Sequence, residues 1–235
     1  NASSTVMTVS TGGFTLSPAT NNLYLADGAL SYYGTTNNVY LNGAGSGGGL
    51  IISGDGTRAE NIDIDAADNS IKFTTGTALG MTIDGDGHVT MPKQPSFRAD
   101  KNSTAQNDIG SSAVTVTFGT ERVDTNGDYN TSNSTFTAPV TGTYVLHYSM
   151  RLQAIDSASS YYNIGLETSN KSYNSIFSND EWAGDVTYWS AERTVVADMD
   201  AADTAYVSIV FVGGAAQTDI SGSANYTVFQ GHLLS

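Results

Sequence analysis

Residues 126–153 read NGDYNTSNSTFTAPVTGTYVLHYSMRLQ, and this stretch decides the fold. Between residues 143 and 152 the side chains alternate, with Tyr144 opening an apolar series on one face and Thr143 a mixed series on the other. A period of two predicts a long β-strand with one face in a core. The turn residues Pro139 and Gly142 precede it, after a short β-prone run at residues 134–137.

The same stretch contains the order aromatic-N-x-x-x-S-x-F-T-A-P-V-x-G-T-Y, which closely resembles the signature of the complement C1q globular domain. Residues 95–99 (PSFRA) and 228–234 (VFQGHLL) resemble the opening and closing strands of that domain. Residues 203–207 resemble its G-D-x-V-x-V strand, with Ala202 where Gly is usual. The resemblance covers residues 95–235 and implies a ten-stranded sandwich of the tumour-necrosis-factor-like jelly-roll type, assembled as a homotrimer.

The composition is that of an all-β protein with many turns. There are 25 Gly and 13 Tyr, and 18 of the 23 acidic residues are Asp, which favours turns, whereas Glu favours helices. The net charge of −14 repels phosphate backbones, so we expect no nucleic-acid partner. No apolar run approaches the length of a membrane span, so we expect no membrane insertion. Cys is absent, which excludes disulfides and thiolate metal sites.

Residues 1–93 have a different pattern. NNLYLADG at residues 21–28 recurs as NNVYLNG at residues 37–43, and short apolar bursts follow, centred near residues 51, 63, 72, 82 and 90. Such strands are too poor in large apolar residues to build a private core, and stacking on other copies gives them one. We therefore expect an elongated β-rich shaft, trimeric, over residues 1–93 and a jelly-roll head over residues 94–235. The alternative for residues 1–93 is a small β-domain with loose loops.

Motifs for catalysis are missing from the sequence. The three histidines, His88, His147 and His232, have no metal-ligand spacing to one another, and we expect the last two at an interface or on the surface. No G-x-S-x-G elbow occurs, and the G-x-G-x-x-G match at residues 43–48 precedes a strand rather than a helix. We expect no enzyme, no catalytic residue and no cofactor. A depolymerase spike would need a carboxylate pair in a groove, and the sequence offers no candidate pair.

Residues 81–89 (MTIDGDGHV) resemble a turn that is repeated in bacteriophage tail-fibre proteins, with His88 in place of the usual Asn. This turn and the C1q-like motifs that follow it together predict an extracellular virion protein of the tail fibre. Its function would be attachment to a polysaccharide or protein receptor on the host surface, with other tail proteins bound through the N-terminal end. The alternative is a bacterial secreted or surface adhesin with the same head.

The predicted contact surface includes the acidic loop from Asp180 to Asp185. The family resemblance implies that a loop at this position can hold calcium near a trimer axis, but we expect a solvated turn here, with calcium as the alternative. Counting strand crossings back from the last strand puts residues 196–204 and 221–225 at the distal tip, but puts this loop at the base. We follow the family position for the loop. We therefore expect Trp182, Asp185, Asp200 and Asn225 to line a distal, acidic, partly aromatic surface.

Overall fold

The computed structural model describes residues 50–53, 61–65, 67–179 and 182–235. All secondary-structure elements in these residues are β-strands, so the predicted all-β class is confirmed. In the same residues no helix is long and apolar enough to cross a membrane. The repeats at residues 21–28 and 37–43, and the glycines of residues 43–48, lie outside the described part of the chain.

Five strands precede the head and form one antiparallel sheet in chain order. They are β1 (Leu50–Ser53), β2 (Asn61–Asp65), β3 (Ser70–Thr75), β4 (Ala78–Ile83) and β5 (Val89–Thr90). The apolar bursts of the sequence coincide with these strands. Each strand pairs with the one before it, so the sheet is a meander of short strands joined by tight turns.

The turn between β4 and β5 is built by Asp84, within the stretch that resembles a tail-fibre turn. Its Oδ1 accepts hydrogen bonds from the backbone N–H groups of Asp86 at 3.0 Å and His88 at 2.9 Å. Its Oδ2 lies 3.0 Å from His88 Nδ1. The hydrogen bonds from His88 hold the pKa of Asp84 below its ordinary value. One carboxylate thus satisfies the backbone donors of the turn.

Thirteen strands form the head. They are β6 (Ser96–Asp100), β7 (Gln106–Ile109), β8 (Val114–Thr115), β9 (Thr120–Asp124), β10 (Tyr129–Asn130), β11 (Thr135–Thr137), β12 (Gly142–Ile155), β13 (Ser159–Thr168), β14 (Ser172–Ser178), β15 (Val186–Met199), β16 (Thr204–Gly213), β17 (Thr218–Ile220) and β18 (Val228–Leu233).

Two sheets pack face to face as a jelly-roll sandwich. One has the order β9-β6-β18-β12-β15, and the other the order β10-β11-β16-β13-β14. The family resemblance implies ten strands, and these two arrays account for ten. The three additional strands are short: β7 and β17 extend the first sheet beside β12, and β8 pairs with β16.

Strand β12 carries the centre of the core, as its alternation predicts. Its five core-facing side chains are fully buried: Tyr144, Leu146, Tyr148, Met150 and Leu152, each with 0% exposure. The opposite face, from Thr143 to Gln153, is half-buried. The predicted face assignment of this strand is therefore confirmed.

The closing motif of the chain depends on a close approach at Gly231. This residue lies opposite Leu146 in β12 and Phe97 in β6. A Cβ at position 231 would come within 2.6 Å of Leu146 Cδ2 and 2.9 Å of Phe97 Cε1. Only a residue without a side chain lets β18 lie between its two neighbours here, which explains the Gly of the closing motif VFQGHLL at residues 228–234.

The head has two ends, which we name by the residues found there. At the neck end β12 begins at Gly142, Leu233 N–H donates to Pro95 O at 3.0 Å, and Gln94 Nε2 donates to Leu233 O at 3.1 Å. At the tip end β12 finishes at Ile155, opposite Val186 of β15. A single strand of 14 residues joins the two ends, a span of roughly 40 Å.

Strand β16 has apolar side chains on both faces. Its core-facing side chains, from Ala205 to Phe211, are buried. On the other face Tyr206 and Val210 are already half-buried within the chain, and Val212 is 41% exposed. This face is therefore only partly open, since β16 lies in the interior of its sheet between β11 and β13.

Candidate ligand-binding surface

The four residues predicted to form one contact surface lie at both ends of the head. Trp182 and Asp185 belong to the connection before β15, at the tip end. Asp200 follows Met199, which pairs with Gly142, and it therefore lies at the neck end. The prediction that Asp200 shares a distal surface with Asp185 is wrong, because the 14 residues of β15 separate them.

The misplacement of residues 196–204 comes from counting one crossing too many between β16 and β18. The chain from Gly213 to Thr227 holds only β17, which is three residues long and pairs with Leu152 and Gln153 near the end of β12. This segment stays in the tip half of the head and does not cross it. Removing that crossing puts Asp200 at the neck and the loop ending at Asp185 at the tip, where the family position had placed it.

Trp182 is packed rather than free. Its ring centroid lies 5.3 Å from that of Trp189 and 6.1 Å from that of Phe177, and it is half-buried against the core. Phe177 and Trp189 belong to the edge strands β14 and β15 of the two sheets, so the three rings close the sandwich along one edge. The ring of Trp182 is therefore only partly exposed, and its expected role as a contact residue stays a prediction.

The carboxylate of Asp185 fixes two neighbouring loops. Its Oδ1 accepts from the backbone N–H and the hydroxyl of Ser157, both at 2.9 Å, and its Oδ2 accepts from Gln217 Nε2 at 2.9 Å. The hydrogen bonds from Gln217, and then those from Ser157, hold the pKa of Asp185 below its ordinary value. The ionised carboxylate of Asp185 is therefore the form that these hydrogen bonds stabilise.

A groove of about 330 Å³ opens beside Asp185. We call it the tip groove; it is lined by Gln153, Ala154, Asp185, Val186, Thr187, Tyr188, Gln217 and Asp219. Two carboxylates and two amides face one exposed aromatic ring, since Tyr188 is 57% exposed. Asp219 is held by the backbone N–H of Asp108, which donates to its Oδ1 at 2.9 Å. Such a groove offers acceptors and donors for hydroxyl groups and a ring face for stacking.

A cation borders the groove on the outer face of β12. The guanidinium carbon of Arg151 lies 3.9 Å from the ring centroid of Tyr226 and 5.0 Å from that of Tyr188. Its Nη2 donates to Ser221 Oγ at 2.9 Å. Cation–π contacts on two rings hold Arg151 in place and orient both tyrosines.

Asn225 lies in the tip half, on the loop before β18. Its backbone N–H donates to Ser223 Oγ at 3.4 Å. Together with Ser103, Ala105 and residues 222–224 it lines an open depression of about 500 Å³. This depression contains only small and polar side chains. The tip groove, in contrast, also offers an aromatic ring and two carboxylates to a ligand.

Sequence reasoning missed Tyr188, Gln217 and Asp219. A usable signal was present for the first: Tyr188 and Trp189 are adjacent aromatics in a strand, and adjacent residues of a strand point to opposite faces. Only one of them can enter the core, so the other must lie outside it. Gln217 and Asp219 gave no signal, because their position depends on β17 lying beside β12.

The model of one protein family matches most of the head. The C1q domain matches residues 96–234, which is more than half of the 235-residue chain. The chain belongs to the C1q domain family. The resemblance noted in the three separated motifs is thereby confirmed, including the strand that begins after Pro95 and the terminal strand.

Solved structures similar to this chain include proteins from zebrafish, mouse and S. frugiperda. The globular domain of zebrafish complement 1qA protein is 15% identical, with a TM-score of 0.44 over 60% of this chain and 98% of that chain. Murine APRIL is 15% identical, with a TM-score of 0.43 over 60% of this chain and 100% of that chain. Eiger TNF from S. frugiperda is 8% identical, with a TM-score of 0.45 over 60% and 93%. No curated protein sequence matches the chain.

The loop of this C1q domain at which calcium is the alternative to a solvated turn is described only in part. Asp180 and Glu181 lie outside the described residues, and Asp185 already uses both carboxylate oxygens in hydrogen bonds to protein groups. Among the described residues no group of three or more His, Asp or Glu side chains is arranged to hold a metal ion. The described donors do not form a coordination set, and the solvated turn expected at the loop from Asp180 to Asp185, with calcium as its alternative, stays a prediction.

The two histidines of the C1q domain lie on the outer face of its first sheet. His147 Nδ1 is 2.9 Å from Thr194 Oγ1. His147 and His232 both line a shallow groove of about 380 Å³ with Val123, Val145 and Gln230. Neither belongs to a catalytic arrangement on this face, and their position fits the expected surface or interface role.

Proposed function

We propose that this chain is the receptor-binding end of a bacteriophage tail fibre, in which a trimer of C1q heads attaches the virion to the host cell surface. The observation that carries the proposal is the C1q domain match over residues 96–234, because domains of this family are binding modules that form trimers. The proposed domain boundary lies near Gln94, with residues 1–93 as the shaft and residues 94–235 as the head.

The tail-fibre context is supported by the turn at residues 81–89. Its Asp84 accepts the backbone N–H groups of Asp86 and His88, so the sequence pattern corresponds to a self-contained structural unit directly before the head. His88, which stands in place of the usual Asn, is itself part of the turn, since its ring Nδ1 lies 3.0 Å from Asp84 Oδ2. Other tail proteins would bind at the N-terminal end of the shaft.

Attachment by three heads works through avidity. Three copies of a weak site on one particle make the second and third contacts intramolecular, which raises the effective affinity without new contacts. We assign the contact surface to the tip groove. Asp219, and the second lone pair of Asp185 Oδ2, can accept hydrogen bonds from hydroxyl groups, and Tyr188 gives a face for a sugar ring or an apolar side chain. Asn225 extends the polar surface in the tip half of the head.

Antisera raised against the purified protein test this proposal. They should label the tail fibres of a phage particle in electron micrographs, and the protein itself should compete with that phage for adsorption to its host. Labelling of a bacterial envelope, with no effect on any phage, would favour the alternative of a bacterial adhesin. Release of soluble glycan from host envelopes by the protein would contradict both and favour a depolymerase.

A further inference from the structure

The five-stranded sheet before the head has one face built mainly from apolar side chains. The register aligns Ile62, Phe73 and Met81 across β2, β3 and β4. It also aligns a second row, made of Ile64, Ile71, Ile83 and Val89, across β2 to β5. Because side chains alternate along each strand, both rows point to the same side.

The opposite face is polar. Asp63, Lys72 and Thr82 form one row across β2, β3 and β4. Lys72 Nζ lies 2.9 Å from Asp65 Oδ2 and 2.6 Å from Asp68 Oδ2, so the charges of this face pair with one another. The two faces differ as they do in an antiparallel sheet that has one side in a core and one side in water.

Within the described part of the chain, the apolar face is only partly covered. None of its seven side chains is fully buried, and Ile64 and Val89 are 42% and 56% exposed. The buried core of the head, which begins at Phe97, includes none of them. A contiguous apolar surface of this kind on a soluble protein marks an interface.

We propose that a second and a third copy of this chain cover this face, so that three sheets enclose one apolar core along a common axis. The copies are the natural occupants because β5 ends at Thr90 and β6 begins at Ser96, with Pro92 and Pro95 stiffening the short connection. Once three heads associate, three such faces are held at an effective concentration of order millimolar. The proposal rests on the trimer of the proposed function and adds which face of the stalk is internal.

Charge does not oppose the association of copies through this face. The face carries no ionisable group, while the chain as a whole has a net charge of −14. Copies that meet through this face keep Asp63, Asp65 and Asp68 on the outside, where water and salt screen their repulsion.

The absence of Cys from the chain allows a direct test, since any cysteine introduced is unique. Phe73→Cys places a thiol on the apolar face, and Lys72→Cys places one on the polar face of the same strand. Met81→Cys and Thr82→Cys repeat the comparison on β4, in case the first pair fails to fold. Each full-length variant is oxidised or treated with a short bifunctional maleimide at dilute concentration. In parallel, the reaction with a monofunctional maleimide and the mass in solution are measured.

We expect the apolar-face variants to form covalent dimers, in up to about two of every three chains, because one thiol per chain in a three-fold assembly pairs two copies and leaves one. Their polar-face controls should react freely with the monofunctional reagent and form few dimers. A trimeric mass without covalent dimers at positions 73 and 81 would overturn this inference. If those thiols then react freely with the monofunctional maleimide, the face is open to solvent. If they are protected from it, another segment of the same chain covers the face. A monomeric mass would instead contradict the trimer of the proposed function.

Discussion

The ring of Phe97 stacks on the ring of Phe136, with centroids 4.5 Å apart and planes 14° apart. Phe97 belongs to the opening strand β6 and Phe136 to β11 of the other sheet, so the pair joins the two layers of the sandwich. Tyr129 stacks on Phe97 from the same sheet as Phe136, and Phe229 of the closing strand meets the ring edge-on. The separated motifs that identify the family are therefore parts of one aromatic core.

Tyr144→Ala should unfold the head. Tyr144 is fully buried and lies 5.6 Å from Phe136, centroid to centroid, so truncation removes a buried aromatic at a cost of about 3–5 kcal/mol. Tyr144→Phe is the matched control, since it loses only the hydrogen bond from the hydroxyl to Val140 O, worth about 0.5–1.5 kcal/mol. Urea denaturation followed by circular dichroism measures both. A loss below about 1 kcal/mol for the Ala variant would contradict the position of this ring in the core.

The fragment of residues 94–235 should fold without the preceding sheet. It contains both sheets of the sandwich and the whole aromatic core, and it keeps the hydrogen bond from Gln94 to Leu233. The fragment of residues 1–93 should be far less stable, because its apolar side chains lack a core within one chain. Urea titration of each fragment measures this. Gradual, non-cooperative unfolding of the fragment of residues 94–235 would show that the boundary near Gln94 is wrong.

Part of the fold was predictable from the sequence, because regular alternation of apolar and polar residues marks a strand with one buried face. Strand β12 alternates so regularly that its faces could be assigned, and turn residues marked where it begins. Strand β14 was not predicted, since SYNSIFS places Ile176 outward and Ser175 inward and so blurs the contrast between the faces. Strands β8 and β17 are two and three residues long, which is too short for any period to appear.

The candidate site was harder to predict because it depends on tertiary placement. Trp182 and Asp200 both lie in short acidic loops, and the sequence alone does not distinguish the positions of these loops. Only the length of β15 and the short excursion through β17 decide that one lies at the tip and the other at the neck. Likewise, the tip groove combines β12, β15 and β17, and no local pattern indicates that these three strands meet.

Stability should rise with pH between about 8 and 9.5 because of Lys101. This side chain is 2% exposed, its Nζ donates to Thr117 Oγ1 at 2.7 Å and Gln106 Oε1 at 3.3 Å, and both partners are uncharged. Burial lowers the pKa of Lys101 from its ordinary value of 10.5 to about 8. Above pH 8 the folded state therefore binds fewer protons than the unfolded state, and the free energy of unfolding increases with pH.

Urea midpoints at pH 7.5 and 9.5 measure this effect of Lys101, and Lys101→Met is the control. The variant has no titrating group at the position, so its midpoint should change less over the same range. Equal midpoint changes in the two proteins would show that Lys101 carries its charge in the folded state up to its ordinary pKa.

Adsorption to host cells should depend on the tip groove. Tyr188→Ala combined with Asp219→Asn removes the exposed ring and one charge, while the Asn oxygen still accepts the N–H of Asp108. We expect a loss of adsorption of at least about tenfold, because avidity multiplies the loss at three sites. Asp200→Asn at the neck end is the matched control and should adsorb normally. Normal adsorption by the double variant, with its mass unchanged, would move the contact surface away from this groove.

Trp182→Ala distinguishes packing from contact at the tip. Since Trp182 is half-buried against Phe177 and Trp189, we expect this variant to lose stability, but by less than the roughly 3–5 kcal/mol that removal of a fully buried aromatic costs. Asp185→Asn should be milder, because the amide oxygen still accepts one of the hydrogen bonds from Ser157 or Gln217. Thermal unfolding of both variants measures the difference. A Trp182→Ala variant of unchanged stability that fails to adsorb would show the ring to be a contact residue.

Attachment through three heads on one stalk is the central claim, and the mass of the full chain in solution tests it most directly. Multi-angle light scattering after size exclusion should give three times the 24.6 kDa of one chain, and this mass should persist on dilution to micromolar concentration. A stable species of 24.6 kDa at that concentration would contradict the trimer, and with it the avidity on which the proposed attachment depends.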